Sequence, residues 1–459
     1  MAESLTVLIM AAGQGTRMKS SLPKVLHTVC GQPMLHWVIA AGREAGADTV
    51  VAITRPGDGV DQALPDGTVN AQQTEGEGTG SAVLAARDQV DPDSIVIVLS
   101  GDVPLTSARL LNELVAKHEE EGATATVLTT SELDPTGYGR IVRGNDGGVE
   151  RIVETKYTDG VAPEVLAIPE INIGTYAFRA RALFDALDAV GETSGERYLT
   201  DVFPLILQNG GRIAAHTTTD VSSAMGVNTR ADLAAVQDLA QRRVVDALAA
   251  SGVTFESPAT ASIDAGVRIG PDTTIANGVT LKGATAVGDG CTIGPQTTIV
   301  DSDVGAGTTI LHSYLTDCTV AAGATIGPFA YLRPEANIGE GAKIGTFVEV
   351  KKSNVGAGAK VPHLSYIGDA DIGEHANVGG GAITANYHRK VKNRTVIGKD
   401  AKTGVHNSFV APVRVGDGAY TGAGSVIADD VPDGALGIAR SEQKNVEGYA
   451  KKIEEGSGE

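Results

Sequence analysis

Two rhythms of apolar residues divide this chain. In the first half, continuous apolar runs alternate with amphipathic stretches. Residues 5–11, L-T-V-L-I-M-A, read as a strand buried on both faces of a parallel sheet, and residues 49–54 and 94–100 repeat the pattern. Helices are expected from near Pro33 to Glu44, over 81–89 and over 106–121, with proline at a first turn and β-branched residues kept to the strands. Residues 124–130, 171–177 and 213–217 read as further strands and 196–209 as a helix. Segments 139–143 and 149–155 alternate around N-D-G-G as a hairpin. The sum is a mostly parallel α/β sheet, whose ligands belong beyond the carboxyl ends of its strands.

Residues 229–250 read as one connecting helix, stopped by Ser251-Gly252. Beyond it a branched aliphatic residue followed by glycine recurs, from Ile269-Gly270 through Val287-Gly288 and Ile293-Gly294 to Val415-Gly416, often at intervals of six or its multiples. Neither a 3.6-residue nor a two-residue period produces that register. A triangular coil of three short strands does, with the branched residue pointing inward and glycine easing the chain around each corner. Residues 252–437 would then supply about ten coils over roughly 50 Å. The period slips three times: Ile344 to Val355 is eleven residues, Ile367 to Ile372 is five, and 384–396 is polar and basic. Two readings of the slips fit, harmless surface irregularities or active-site insertions, and because loops on rigid scaffolds carry function the second is favoured. The tail after Val431 is expected to close the last coil or reach a site, and its final E-E-G-S-G-E to be disordered.

Composition fits this division. The 459 residues include 58 glycines and only 4% aromatics, as a narrow core of small branched side chains requires. A net charge of -19 repels nucleic acid and anionic membrane, so neither is expected as a partner, and an anionic substrate needs a local pocket of Arg and Lys. Cys30, Cys291 and Cys318 form no metal-ligand spacing and no disulfide framework. The apolar run after Ser4 is too short to span a membrane, and a cytoplasmic location is expected.

Candidate chemistry begins after the first strand, at A-A-G-Q-G-T-R-M-K-S-S-L-P-K, residues 11–24. Backbone N–H groups of Ala11, Ala12 and Gly13 can approach an anion, and Arg17, Lys19 and Lys24 add charge. The loop is neither a Walker motif nor a dinucleotide fingerprint, so two readings fit: a phosphate cradle, or a turn with solvated basic residues. Asp102, in S-G-D-V-P, follows a strand where a carboxylate could hold Mg²⁺, or could simply cap the next helix. In the repeating half, polar residues gather at the slips: Arg333, Lys351, Lys352, His363, Tyr366, Asn377, Asn386, Tyr387 and Lys392. An isolated histidine is more often structural, but His363 follows Pro362 between basic and amide-bearing coils, which makes it a candidate for a catalytic role.

The signature at 11–24, with G-E-G-T-G at 76–80, G-D-V-P at 101–104, G-Y-G-R at 137–140, E-T-K at 154–156, E-I-N-I-G at 170–174 and M-G-V-N at 225–228, resembles the sugar-nucleotide pyrophosphorylases over residues 5–229. G-P-F-A-Y-L-R-P at 327–334, F-V-E-V-K-K at 347–352, H-L-S-Y-I-G-D-A at 363–370 and N-Y at 386–387 are similar to hexapeptide-repeat acyltransferases. Together they resemble the bacterial bifunctional uridylyltransferase/acetyltransferase enzymes over nearly the whole chain. The likeness implies a Rossmann-like α/β nucleotidyltransferase domain over 1–229, a linker helix over 230–251 and a left-handed parallel β-helix over 252–459, assembled as a homotrimer. It implies acetylation of glucosamine 1-phosphate by acetyl-CoA, then transfer of UMP from UTP to N-acetylglucosamine 1-phosphate with Mg²⁺, a step of cell-wall precursor synthesis.

By the same likeness Ala11, Ala12, Gly13 and Gly78 hold the nucleotide, Arg17 and Lys24 bind and stabilise phosphate, and Gln73 and Thr79 contact uracil. Asp102 and Asn228 hold Mg²⁺, while Gly139, Glu154, Asn172 and Asn228 line the sugar side. In the second site His363 is the general base, Arg333, Lys351 and Lys392 neutralise the sugar phosphate, and Tyr366 and Asn377 fix the sugar. Asn386 and Tyr387 place the amine, and Gly380, Ala423 and Arg440 adjoin CoA. The chain departs from the family pattern at Ile173, commonly threonine; at His388-Arg389, commonly Asp-Gly; at Val405, often serine; and in 379–385. Competing accounts are a single-activity UDP-sugar pyrophosphorylase whose β-helix oligomerises it or binds a regulator, and a non-enzymatic scaffold.

Overall fold

The computed structural model describes residues 3–13, 15–144, 147–155, 161–192 and 195–456. The chain divides into two compact units, Met1–Gln241 and Arg242–Glu459. The division falls inside a helix, Arg230–Ala250, found where the sequence predicts a connecting one.

In the first unit the strand Leu5–Met10 pairs in parallel with Thr49–Thr54 on one side and Ile95–Ser100 on the other. Val7, Leu8 and Ile9 are fully buried, as an apolar run covered on both faces must be. Val69–Gln72 extends the parallel set. Beyond Ile95–Ser100 the strand Ile171–Arg179 runs antiparallel to it and to Ala125–Thr130, which pairs in parallel with Ile213–Thr217. The expected hairpin is present as Arg140–Arg143 and Val149–Val153, joined to the sheet by Arg140 against Ile171. Asn145 and Asp146 of its turn lie outside the described residues, as do Gln14 of the basic loop and Lys156 of E-T-K.

Two helices differ from expectation. Thr79–Leu84 stops early and a separate 3-10 turn, Arg87–Gln89, follows. Of 196–209, only Leu199–Asp201 (3-10) and Val202–Gln208 are helical. The reason is local: Arg197 N–H donates to the Glu77 carbonyl at 2.9 Å, and its own carbonyl accepts from Gly80 N–H at 2.8 Å. That backbone is committed to the facing loop and cannot also close a helical turn.

The second unit is a parallel β-helix. Its strands form three parallel sheets of seven, ten and nine strands, and in the regular coils each strand pairs with the one three further along. Buried branched side chains stack in register up each face, from Ile275 to Ile293, Ile310, Ile326, Ile344 and Val361 on the first. Successive coils on this face take 18, 17 and 16 residues from Ile275 to Ile326, yet the register holds. Residues are lost only at corners, where Asp301, Asp317, Lys352 and Asp369 take left-handed φ near +47° (45°, 46°, 47° and 49°).

This corrects the reading of the slips. The five-residue step from Ile367 to Ile372 is a tight corner at Asp369, and the eleven from Ile344 to Val355 is a six plus a five that turns at Lys352. Only 384–396 contains an insertion, a hairpin of Tyr387–His388 against Val391–Lys392. The role expected for the recurrent glycines also changes. Gly339 and Gly356 do not have left-handed φ. A Cβ on Gly339 would meet Ala357 N at 2.7 Å, and one on Gly356 would meet Glu374 N at 2.7 Å. Most of these glycines let successive coils close to strand spacing rather than turning the chain. At the other end of the unit, the helix Tyr449–Gly456 takes in Glu454 and Gly456, where disorder is expected. Among the described residues no helix is long and apolar enough to cross a membrane.

Gly356→Ala is therefore expected to destabilise the second unit by about 1–3 kcal/mol through overpacking. Gly307→Asn, at φ +68° with open space around it, should cost less than about 1 kcal/mol, and denaturant midpoints compare the two.

His118 is fully buried, its Nδ1 lies 2.9 Å from Thr126 Oγ1, and burial pushes its pKa down to about 4. A depressed pKa means stability that is complete above the unfolded value near 6.5 and is lost as pH falls through it towards 4. The first unit should lose up to about 3 kcal/mol over that window from this group, and His118→Gln should flatten the melting temperature against pH there.

Candidate functional sites

Parallel pairing brings the first candidate residues together. Met10 and Ser100 are register partners, so the loop after one strand and Asp102 after the other start side by side. Gly101 N–H donates to the Met10 carbonyl at 2.9 Å, and Val227 N–H to the Asp102 carbonyl at 2.9 Å, which draws in the segment carrying Asn228. Asp232 fixes that segment by accepting from Asn228 N–H and Thr229 N–H at 2.9 and 2.8 Å, an N-terminal helix cap.

The polar groups converge. Lys24 Nζ pairs with Asp102 Oδ2 and lies 3.2 Å from Asn228 Oδ1, which Arg17 also reaches at 2.8 Å. Ser100 Oγ donates to the other Asp102 oxygen at 2.6 Å. Gly15, at φ +58°, makes the approach possible, because a Cβ there would stand 2.6 Å from Lys24 Cβ. A carboxylate and an amide oxygen already converging on an ammonium form a donor set that suits a hard cation with phosphate and water completing its shell.

Two cavities meet at this point, sharing Met10, Thr79, Ser100 and Asp102. The smaller is walled by Ala12, Gly13, Lys24, Gln73, Gly78 and Thr79, all but Ala11 and Arg17 of the nucleotide residues expected from the sequence. Ala11 is buried behind it, with its N–H on the Ile53 carbonyl at 2.9 Å. Among the described residues a Cβ on Gly13 would touch nothing within 4 Å, so none of them demands glycine there, whereas Gly78 is required by the Arg197 carbonyl, 2.4 Å from such a Cβ. Gln73 Nε2 donates to the Gly76 carbonyl at 2.9 Å, and Thr79 Oγ1 accepts from Leu199 N–H at 2.9 Å. Arg55 and Glu77, which the sequence reading omits, also line this cavity as a two-pronged ion pair at 3.2 and 3.0 Å. Each holds the other charged, the Glu77 carboxyl below and the Arg55 guanidinium above its ordinary pKa.

The larger cavity, about 930 Å³, is lined by Glu154, Asn172 and Asn228 as expected, and by Tyr138, Tyr198 and Asp201, which are not. Gly139 adjoins two of these, since its Cβ would lie 3.5 Å from both Asn172 Cβ and Glu154 Oε1. Asn172 is held rigidly: Nδ2 donates to Tyr176 Oη at 2.7 Å and Oδ1 accepts from Gly174 N–H at 3.0 Å. Burial raises the Glu154 pKa, with the Thr200 hydroxyl opposing and Asp201 adding to the shift.

In the second unit, coil-to-coil register makes columns. Tyr366 stands over Glu349, His363 over Thr346, and Gly380 next to His363, where a Cβ would come within 3.3 Å of His363 Cβ. Bridges from Asn377 to Lys402 and from Lys402 to Tyr420 carry the register on, so Val405 and Ala423 follow Gly380 on later coils. Arg440 Cδ lies 4.0 Å from a Cβ position on Gly424, beside Ala423. Arg333 binds Glu349 at 2.8 Å, and Lys351 Nζ lies 3.8 Å from Asp369 Oδ2, an oxygen that Asn386 Nδ2 also contacts. Asn386 Nδ2 is 3.4 Å from Tyr366 Oη. Lys392 and Tyr387 pair across the inserted hairpin. His388-Arg389 therefore falls at the hairpin's tip, where Arg389 and Lys390 both have left-handed φ. Asn377 lies on the first face, between Lys360 and Lys402, the face whose strand also ends in His363, whereas Tyr366 lies on the second.

The first unit thus has the parallel sheet, glycine-bearing loop and strand-end carboxylate of a nucleotidyltransferase. A family model described as the MobA-like NTP transferase domain matches residues 7–205. The chain is also 43% identical to the bifunctional protein GlmU of Mycolicibacterium vanbaalenii, with 98% of this chain and 94% of that one covered. It is 42% identical to the bifunctional protein GlmU of Streptomyces avermitilis (98% and 95% covered) and 44% identical to that of Heliobacterium modesticaldum (98% and 99%). The chain belongs to the family of bifunctional GlmU proteins.

Because the space above Gly13 is open, Gly13→Ala should leave the unfolding midpoint within about 0.5 kcal/mol of the parent while weakening nucleoside triphosphate binding at least about tenfold. Calorimetric titration beside thermal unfolding reads both.

Proposed function

We propose that the chain makes UDP-N-acetylglucosamine in two steps, each in its own unit. The second unit moves the acetyl group of acetyl-CoA to the amine of glucosamine 1-phosphate. The first then transfers UMP from UTP to N-acetylglucosamine 1-phosphate and releases pyrophosphate. The observation that carries the reading is the meeting of two cavities at Asp102, one walled by Ala12, Gly13, Lys24 and Gln73 and the other by Glu154, Asn172 and Asn228.

In the nucleotidyl step a phosphate oxygen of the sugar attacks the α-phosphorus, the new P–O bond forms, and the bond to the β-phosphate breaks. Arg17 and Lys24 meet the charge that develops, and no covalent enzyme intermediate is needed. Asp102 and Asn228 would hold Mg²⁺, whose chemistry there is to screen phosphate charge. For this, Lys24 must pass from Asp102 to the phosphates. Gln73 faces the base, while Gly139, Glu154 and Asn172 face the sugar.

In the acetyl step the amine nitrogen attacks the thioester carbonyl, the C–N bond forms, the C–S bond breaks, and the thiol of CoA leaves. His363 takes the amine proton on its imidazole. Arg333, Lys351 and Lys392 grip the sugar phosphate, Tyr366 and Asn386 orient the sugar and amine, and the column of Gly380, Val405 and Ala423 gives the CoA arm a flat track ending at Arg440. Asn377, on the first face with His363, is read as fixing the sugar with Tyr366, and the assembly is read as a homotrimer. The chain is read as a cytoplasmic enzyme of cell-wall precursor synthesis.

Assayed separately, His363→Ala should lower acetyl transfer by about 10²–10⁴ and leave uridylyl transfer intact, and Asp102→Ala should do the reverse. Normal nucleotide transfer by the parent enzyme with no CoA-dependent acetylation would sink the bifunctional reading and leave a pyrophosphorylase with a β-helical scaffold.

A further inference from the structure

One side chain in the second unit has a place that the acetyl step as proposed does not use. Asp369 turns the tight corner between the second and third faces, with left-handed φ of +49°, and is only 6% exposed. A carboxylate so placed needs partners, because burying an unpaired charge is expensive. Its Oδ2 contacts Asn386 Nδ2 and lies 3.8 Å from Lys351 Nζ. Its backbone is committed as well: its N–H donates to the Lys351 carbonyl at 3.0 Å, and its carbonyl accepts from Thr395 N–H at 3.2 Å. The corner thus holds the lysine-bearing coil below and both ends of the inserted hairpin, since Asn393 N–H returns to the Asn386 carbonyl at 2.8 Å.

We infer that Asp369 is the positioning residue of the acetyl-transfer site: its buried carboxylate is the counter-charge that lets Lys351 and Lys392 stand side by side, and the anchor that aims Asn386. The inference rests on the proposed acetyl transfer and deepens it.

The charge balance explains why such a residue is needed. The Lys351 ammonium holds Lys392 below the ordinary lysine range, with the Asp369 carboxylate opposing that shift. Neighbouring ammonium groups repel, which disfavours the charged form of each. Asp369 offsets this repulsion until a substrate phosphate takes its place. The charged or titratable groups around it are Lys351 from the coil below, Tyr366 from its own turn, and Lys392 and Arg394 from the hairpin and the strand after it. Arg394 is already bound to Asp371, and Arg333 to Glu349, which leaves the two lysines to Asp369.

The test is the pH profile of kcat/KM for glucosamine 1-phosphate in the acetyl step, compared among the parent, Asp369→Asn and the double variant Asp369→Asn with Lys392→Arg. Asparagine keeps the shape and removes the charge. With the counter-charge gone, the alkaline limb should move to lower pH, because Asp369 no longer opposes the repulsion between the lysines. At neutral pH the loss should be much smaller than at pH 9. Arginine does not titrate in this range, so the double variant should return the alkaline limb towards the parent's position. Uridylyl transfer by the same preparations, together with their unfolding midpoints, reports whether each variant is folded. If the Asp369→Asn profile is only scaled down at every pH, or if it coincides with the parent's, the inference is overturned. It is overturned too if Asp369→Asn fails to fold while Asp369→Glu, which keeps the charge, folds and shows a shifted limb. Absence of CoA-dependent acetylation in the parent would remove the underlying reading; a normal parent with an unshifted variant removes only the role of Asp369.

Discussion

Parallel strand pairing in fixed register is the constraint on which the rest of this molecule depends. In the first unit it sets Met10 beside Ser100, so two strands end at one level and release the phosphate-type loop and Asp102 into the same space. In the second it turns residues about one coil apart into neighbours, with Glu349 under Tyr366 and Thr346 under His363. Neither arrangement needs a long side chain to reach across a gap. The backbone ladder does the placing, and the side chains need only be of the right kind.

A second regularity is that several cations of the proposed chemistry already have an internal anion or oxygen. Lys24 rests on Asp102, Arg333 on Glu349, and Lys351 beside Asp369. In a chain of net charge -19 this is not surplus acid finding any base. The partners are half-buried or buried and stand where a phosphate would bind. Each pair holds a basic side chain in a defined place, and an arriving phosphate exchanges one anion for another without first desolvating a bare ammonium.

Much of this was legible in the sequence, because the strongest signals came from positions where one physical demand dominates. The continuous apolar runs became the strands Leu5–Met10, Thr49–Thr54 and Ile95–Ser100, buried except at their ends. The branched-residue repeat became three stacked faces. What escaped depends on partners distant in the chain. Val69–Gln72 carries the polar sequence V-N-A-Q and is a strand only because Thr49–Thr54 offers an edge. The stretch before Leu199 is extended because it pairs with the loop around Glu77. The acids that hold the cations, Glu349 and Asp369, look like ordinary surface carboxylates until the coils are stacked. Asn377, which the likeness groups with Tyr366, lies on the first face and Tyr366 on the second. The glycines were noticed for the right positions and the wrong reason.

The left-handed corners have a consequence for how such a unit can change. Because coils of 16, 17 and 18 residues keep the same inner stack, a residue gained or lost at a corner leaves every column aligned. A residue gained or lost within a strand would turn an inner isoleucine outward and shift all that follows on that face. The unit is thus permissive to insertion at its edges and intolerant of it along its faces. The one corner enlarged into a hairpin, at 384–396, shows how new chemistry could be added to such a scaffold without disturbing the frame that carries it.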